Sequence, residues 1–280
     1  MSEKAILDCA TPDADLHSQP DESTVVPDKA QPGDESSKKR RRTPSVRISQ
    51  QPGFVLHSHA YSESSLIVEV FSRDYGRVGL LAKGAKRPAS RLRGVLQTFQ
   101  PLSFCWTGKS ELRTLVSAEW VGGVAPLENA ALLYGFYLNE LLLKLTVRED
   151  PHPGLFDYYV ATLVRLAGTE PAPAVLRQYE LAVLKETGVA ADLSVCTQTG
   201  RAVDPDGLYV VDPEKGPRPA KTADHAPIVS GRTLLDMTKE DYSDPVTQTQ
   251  SKFLMRALLA HHLNGVQIQT RKILIDLLQL

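Results

Sequence analysis

A dense run of cations is the feature of this sequence with the clearest chemical potential. Between positions 73 and 93 the chain carries seven Lys or Arg residues against one acid, Asp74. The seven cations are Arg73, Arg77, Lys83, Lys86, Arg87, Arg91 and Arg93. Gly84 permits close backbone approach and Pro88 stiffens the connection around it. Such a surface suits phosphates and would bind nucleic acid with a steep salt dependence and little sequence preference. The same composition is also typical of a solvated face that binds nothing.

Aromatic residues are interleaved with these cations along the chain. An exposed ring can stack on a nucleic-acid base, which contributes ~1–3 kcal/mol per base. We expect most of the rings to be buried in a core. The sequence leaves Tyr75 and Trp106, which stand beside predicted turns, as the stacking candidates.

Residue sets typical of catalysis or metal binding are scarce. The chain contains no HExxH, GxSxG, P-loop, GxGxxG or EF-hand pattern. His57 and His59 could share a metal on one strand face, but without a nearby carboxylate or Cys two surface histidines are the more common arrangement. These residues form no recognisable catalytic constellation. An enzyme whose site is assembled from distant residues of the helical half stays an alternative.

Composition and charge limit the classes of protein to which the chain can belong. The 280 residues are 42% hydrophobic and 23% charged, with a net charge of −1, which is ordinary for a globular protein. Residues 51–125 hold nine Lys or Arg against five acids, whereas residues 126–280 hold fifteen against nineteen, so a nucleic-acid surface is expected in the first segment. No apolar run approaches the ~18–20 residues of a membrane-spanning helix, and no secretory signal is recognised. Three isolated cysteines fit a reducing compartment, so we expect a cytoplasmic protein.

The pattern of residues divides the chain into three parts. Residues 1–45, rich in Pro, Ser, Asp and Gln, are expected to be a disordered extension, with a cationic run at 38–42. Residues 46–125 contain five β-like runs, at 54–59, 65–71, 77–82, 99–107 and 112–121, of which the second and third, and the fourth and fifth, form hairpins. This size and strand count suit a five-stranded oligonucleotide-binding (OB) barrel, although SH3-like barrels and open meanders share them.

Helical periodicity dominates residues 126–280. Amphipathic helices are predicted at 127–147, 154–166, 174–186, 231–237, 245–263 and 268–278. An insert at 192–227, rich in Gly, Pro and Asp, is expected to be small and irregular with one strand, Leu208–Val211. The fold class is therefore α+β, a barrel followed by a helical domain.

Specific segments then identify a family. The residues HSHAYSESSLIV, FSRDYGRVGLLAKGAKR and LQTFQPL closely resemble the amino-terminal domain of the bacterial recombination mediator family RecO, in the family's order. Further on, YLNELLLKL, PHPGLFDYYVATLVRLA, LRQYELAVLKETG and TRKILIDLL resemble its helical domain. The resemblance runs from about residue 51 to the end of the chain.

This resemblance implies an OB barrel followed by a helical domain, and a non-catalytic role without a cofactor. Members of the family bind single- and double-stranded DNA, anneal complementary strands, bind the tail of single-stranded-DNA-binding protein and, with RecR and sometimes RecF, help to load RecA. DNA contact is carried over to Lys83, Lys86, Arg87, Arg91 and Arg93, with Arg73 and Arg77 as flanking candidates. An RNA-binding OB protein is the alternative.

Two further expectations follow from the resemblance. An acidic tail needs an apolar pocket edged by cations, for which the helical domain offers Arg148, Arg165, Arg177 and Lys185. Many family members carry a four-cysteine zinc module between helices, but here only Cys196 is present, in CTQTG, and Thr199 stands where a CxxC needs its second cysteine. One thiolate cannot complete a structural zinc site of about four ligands, so we expect the insert to be metal-free.

Overall fold

A computed structural model of the chain describes the backbone of residues 46–278 and the side chains of residues 46–273. The expected disorder of residues 1–45, and the cationic run within them, lie outside the described residues.

The first half of the described chain is a closed five-stranded barrel. Its strands are β1 (Arg47–Ala60), β2 (Leu66–Ser72), β3 (Gly76–Ala82), β4 (Leu102–Thr107) and β5 (Leu112–Trp120). They follow the order β1-β2-β3-β5-β4, and β4 closes the barrel onto β1. All pairs are antiparallel except β3 with β5, and a short helix, α1 (Arg91–Val95), lies between β3 and β4. The closed sheet confirms the predicted barrel, and its strand order is that of the OB fold.

Period-two alternation fills the barrel interior. In β4 the side chains of Leu102, Phe104 and Trp106 are buried, while the residues between them are half-buried. Val70 of β2 and Leu80 of β3 are buried in the same core. This alternation explains why the two predicted hairpins, β2–β3 and β4–β5, are formed with ends close to those read from sequence.

The sequence prediction for β1 was too short. The strand begins at Arg47, seven residues before the predicted start, and pairs first with β4 and then with β2. Gly53 is the crossover residue, opposite both Leu102 and Ser72. A register shift accompanies the positive φ of 54° at Gln50. Such an irregularity, followed by Pro52, hides the alternation by which a strand is recognised.

The second half consists of helices. They are α2 (Ala130–Leu145), α3 (Pro153–Ala167), α4 (Ala172–Glu186), α5 (Gly231–Thr238), α6 (Pro245–His262) and α7 (Gln269–Leu278), which confirms the predicted helical region. Its apolar core continues into the outer face of the barrel, where Phe54 and Phe71 pack on Phe156 of α3 with ring centroids 5.6 and 5.5 Å apart. Among the described residues, no helix combines the length and apolar character that a bilayer span requires.

The insert is more regular than the sequence indicated. It contains three strands, β6 (Leu208–Asp212), β7 (Gly216–Pro219) and β8 (Ile228–Ser230), in the order β7-β6-β8. Pro217 and Pro219 argue against a strand in sequence, but β7 is an edge strand, where missing N–H donors cost little. The Cys196 side chain is buried beside a tight turn in which the N–H of Gly200 donates to the Cys196 carbonyl at 2.8 Å.

Candidate nucleic-acid interface

We call residues 83–93 the basic segment. It begins directly after β3 and extends into α1. The segment winds through consecutive turns, with the N–H of Arg87 bonded to the Gly84 carbonyl at 3.1 Å and that of Ser90 bonded to the Arg87 carbonyl at 3.0 Å. Gly84 has a φ of +70°, a conformation in which glycine avoids the strain of a side chain. Ala85 is fully buried against the barrel core and anchors the turns to it. The basic segment is thus held in a fixed position on the barrel surface.

The cations of the basic segment face solvent. Lys83, Lys86, Arg87, Arg91 and Arg93 are all exposed. Within residues 46–273 none of the five forms a salt bridge; the arginines that do so around the barrel are Arg73, Arg77, Arg113 and Arg148. Five uncompensated positive charges on one short segment create the local field that attracts phosphates.

Arg73 is held by the helical region. Its Nε and Nη2 donate to the two carboxylate oxygens of Asp157 on α3, at 3.1 and 2.9 Å. This pairing raises the pKa of Arg73 and lowers the pKa of the Asp157 carboxyl. Both groups of the pair are partly exposed, so a ligand can reach the Arg73 guanidinium. Such a ligand would compete with Asp157 for the two donors of the bidentate bond.

Arg77 lies in the seam between the barrel and the helices. Its Nη2 donates to the Thr146 carbonyl at 3.0 Å, and its Nη1 lies 3.7 Å from the carboxylate of Glu69. Arg148 pairs with the same carboxylate, which is buried. Burial lowers the pKa of Arg77, Glu69 opposes that effect, and Arg148 adds to it. Arg77 is therefore paired within the seam, unlike the exposed cations of the basic segment.

Of the two stacking candidates predicted from sequence, Trp106 is wrong, whereas Tyr75 is half-buried and stays a prediction. Trp106 is fully buried in the barrel, because the alternation of β4 decides its direction rather than the adjacent turn. Tyr75 packs edge-on against Trp106, with ring centroids 5.4 Å apart. The exposed Tyr and Trp rings of the barrel are those of Tyr61, 58% exposed in the β1–β2 loop, and Trp120, 66% exposed at the end of β5.

The two histidines of β1 lie on the surface. His57 and His59 are exposed, and their rings stack with centroids 6.1 Å apart. No group of three or more His, Cys, Asp or Glu side chains suited to a metal occurs in the part of the chain that the structure describes.

A second surface feature is a groove in the helical region. It has a volume of about 710 Å³ and lies between α2, α4, α6 and α7. Apolar side chains, including Leu176, Leu259 and Ile268, form part of its wall. Its cations are Arg177, Lys252, Arg256, Arg271 and Lys272. An apolar groove edged by five cations suits an acidic peptide with apolar side chains.

One acid lies at the base of this groove. Glu180 is fully buried, pairs with Arg177 and accepts a 2.5 Å hydrogen bond from the Tyr137 hydroxyl. Burial raises the pKa of Glu180, against the attraction of Arg177. Burial also lowers the pKa of Arg271, and the neighbouring charge of Arg256 lowers it further. The lowered pKa of Arg271 reflects burial and the neighbouring positive charges on this side of the groove.

Sequence reasoning found only part of this groove. Of the four cations expected there, Arg177 lines it, whereas Arg148 pairs with Glu69 at the seam and Arg165 donates to Glu170 at 2.8 Å. Lys252, Arg256, Arg271 and Lys272 were missed. Lys252 and Arg256 stand four residues apart, the spacing that places two side chains on one helix face, and this was the available signal.

Comparison with known proteins agrees with both halves of the structure. The family model described as Recombination protein O N terminal matches residues 46–124, and the one described as Recombination protein O C terminal matches residues 128–263. The DNA repair protein RecO of Burkholderia pseudomallei is 53% identical over 272 residues, covering 95% of this chain and 98% of the relative. That of Ralstonia nicotianae is 57% identical over 236 residues, covering 84% and 86%. The chain belongs to the RecO family, and its role is in DNA repair.

Proposed function

We propose that this chain is a recombination mediator that binds single- and double-stranded DNA and anneals complementary strands. With RecR, and with RecF where that protein takes part, it helps to load RecA onto DNA coated with single-stranded-DNA-binding protein. The observation that carries the proposal is the basic segment on an OB barrel, whose five exposed cations form no salt bridge within residues 46–273. In this division of labour residues 46–125 bind DNA, and residues 126–280 bind protein partners.

Charge neutralisation is the proposed mechanism of annealing. Two complementary strands repel each other through their phosphates, and this repulsion is weakened where Lys and Arg side chains replace the counterions. Base pairing then supplies the free energy, so the step needs no nucleotide hydrolysis and no cofactor from this chain. The proposal puts the chain in the cytoplasm, at the nucleoid, as a non-enzymatic protein.

Annealing is tested directly with two complementary labelled oligonucleotides. We expect the full-length protein to accelerate annealing of bare strands, and of strands coated with single-stranded-DNA-binding protein, with an acceleration that falls as salt rises. No acceleration of bare strands would contradict the proposal. A preference for structured RNA over single-stranded DNA in the same buffers would instead favour the RNA-binding alternative.

We propose that the groove of the helical region takes the acidic tail of single-stranded-DNA-binding protein. The support is its composition, apolar walls with Arg177, Lys252, Arg256, Arg271 and Lys272 around them. Acidic side chains of the tail would pair with these cations while apolar ones enter between α4 and α6.

A labelled tail peptide tests this placement. Arg271→Ala is expected to weaken peptide binding by about tenfold, which is the loss of roughly 1.4 kcal/mol. Arg165→Ala is the matched control, because Arg165 pairs with Glu170 and does not line the groove. Equal peptide affinity of both variants and the unaltered protein would reject the groove as the tail site.

A further inference from the structure

The β1–β2 loop and the basic segment form one surface. Lys86 joins them twice, since its N–H donates to the Ser64 carbonyl and its Nζ to the Ser62 carbonyl, both at 3.0 Å. The loop is itself closed by a 3.1 Å bond from the Tyr61 N–H to the Ser65 carbonyl. These bonds fix the position of Tyr61 relative to the cations that follow β3.

The side chain of Tyr61 is not used by the fold. It is 58% exposed, and within residues 46–273 its ring takes part in no ring–ring contact and its hydroxyl in no hydrogen bond. Other aromatic residues of the barrel are buried. Phe104 lies in the barrel interior, and Phe54 and Phe71 lie in the core shared with the helical region. A large aromatic ring is thus presented to solvent on the loop to which Lys86 of the basic segment is bonded.

An exposed ring beside cations matches the two chemical features of a single nucleic-acid strand. The cations suit its phosphates, and the ring suits an unpaired base, which has two free π-faces. A duplex offers the same phosphates, but its bases are stacked inside and closed to a side chain on the surface. The basic segment alone therefore does not distinguish the two forms, whereas Tyr61 can.

We propose that Tyr61 is a base-stacking residue that gives the basic segment its preference for single strands over duplex. This inference rests on the proposed binding of DNA at the basic segment and deepens it. While strands are unpaired, the ring holds a base and the cations hold the neighbouring phosphates. When pairing closes the base into a duplex, the stacking contact is lost and only the phosphate contacts remain, so the annealed product is held less tightly than the substrates.

The test measures the affinity of the full-length protein for three probes of one length. These are a single-stranded oligonucleotide, its duplex, and an abasic strand that keeps the phosphates and lacks the bases. Tyr61→Ala is expected to weaken single-strand binding about tenfold and to leave duplex and abasic binding within about twofold. Its salt dependence should equal that of the unaltered protein, because no phosphate contact is removed. Tyr61→Trp should retain single-strand affinity.

Trp120→Ala serves as the matched control, since Trp120 is the exposed tryptophan of the barrel and its indole N–H is bonded to Gln100 at 3.1 Å. Equal loss on all three probes in Tyr61→Ala, or no loss on any, would overturn the inference. So would a loss of single-strand affinity confined to Trp120→Ala. Failure of the underlying proposal looks different: Lys83→Ala combined with Arg87→Ala would then leave the salt dependence unchanged, whatever Tyr61→Ala does.

Discussion

The α-carbon of Gly76 faces the backbone of Asp150 so closely that a Cβ on Gly76 would lie 2.1 Å from the Asp150 carbonyl oxygen. The neighbouring residues continue this contact, because the N–H of Glu149 donates to the Arg77 carbonyl at 3.0 Å. The turn between β2 and β3 and the connection between α2 and α3 thus pack backbone against backbone. This seam fixes the helical region against the barrel.

Gly76→Ala is expected to open that seam. The substitution meets a backbone atom and also requires a side chain at a φ of +61°, so we expect a loss of about 2–4 kcal/mol in the free energy of unfolding. Urea denaturation measures it. Gly94→Ala is the control, because a Cβ on Gly94 meets nothing within 4 Å, and a stability equal to or above that of the unaltered protein is expected. Equal stability of the two variants would contradict the close packing.

Glu69→Gln is expected to destabilise the protein more than Asp157→Asn. Glu69 is buried and serves both Arg77 and Arg148, so its loss leaves two cations without their partner and costs about 2–3 kcal/mol. Asp157 is exposed and serves Arg73 alone, which limits the cost to about 1 kcal/mol or less. Thermal unfolding of both variants in the same buffer provides the comparison. A larger loss of stability in Asp157→Asn would show that the buried carboxylate of Glu69 is not the main ionic contact between the barrel and the helical region.

Arg77→Ala and Lys83→Ala should separate stability from DNA binding. Lys83 is exposed and unpaired among the described residues, so its removal should reduce the slope of log affinity against log salt by about 0.7–0.9 and leave stability unchanged. Arg77 is bonded to Thr146 and Glu69, so its removal should lower stability and leave the slope unchanged. A reduced slope in Arg77→Ala would mean that DNA reaches the seam.

Stability should depend on pH through Glu140. Its carboxylate accepts the N–H groups of Gln269 and Thr270, both at 2.8 Å, at the start of α7. Burial raises its pKa, but the hydrogen bonds from Thr270, Gln269 and Lys144 outweigh that effect and hold the pKa below 4.5. A pKa that is lower in the folded protein gives stability that is complete above the unfolded pKa and is lost as pH falls through the folded one.

Glu140→Gln removes this pH-dependent contribution. At neutral pH the variant should be less stable by about 1 kcal/mol, and the difference from the unaltered protein should shrink as pH is lowered below 4.5. Chemical denaturation across a pH series measures this difference. A difference that stays constant with pH would show that the charge of Glu140 does not hold α7.

The insert should be stable without metal. Its one cysteine, Cys196, is buried, and Thr199 forms a bond to the Arg201 N–H at 3.3 Å at the position a second thiolate would need. We expect the purified protein to hold no zinc and its melting temperature to be unchanged by a strong chelator. Metal analysis that finds one zinc per chain would contradict this prediction.

Local sequence patterns predicted the elements well where the pattern was regular. The strands of the β2–β3 hairpin alternate or run apolar between clear turn residues, and the helices show unbroken three- and four-residue spacing. The start of β1 and the strands β7 and β8 were missed. For β1 and β7 the reason is that Pro52, Pro217 and Pro219 are signals against a strand that only tertiary position overrides.

The candidate site was predictable in residue type but not in pairing. The seven cations were evident from sequence, yet the partner of Arg73 lies 84 positions away and the partners of Arg77 come from β2 and the end of α2. Likewise Trp106 and Tyr61 are both rings near turns, and only the closed sheet decides that one is buried and the other exposed. Long-range pairing is information that a local pattern does not contain.

The division of charge has a consequence for how the chain approaches a polyanion. Residues 51–125 carry four more cations than acids and residues 126–280 four more acids than cations, so a chain with a net charge of −1 has a basic part and an acidic part. If residues 51–125 bind DNA as proposed, a polyanion would attract this basic part of the chain and repel the acidic part. Orientation before contact would then give a nearly neutral molecule the fast, salt-sensitive association that is usually attributed to a high net charge.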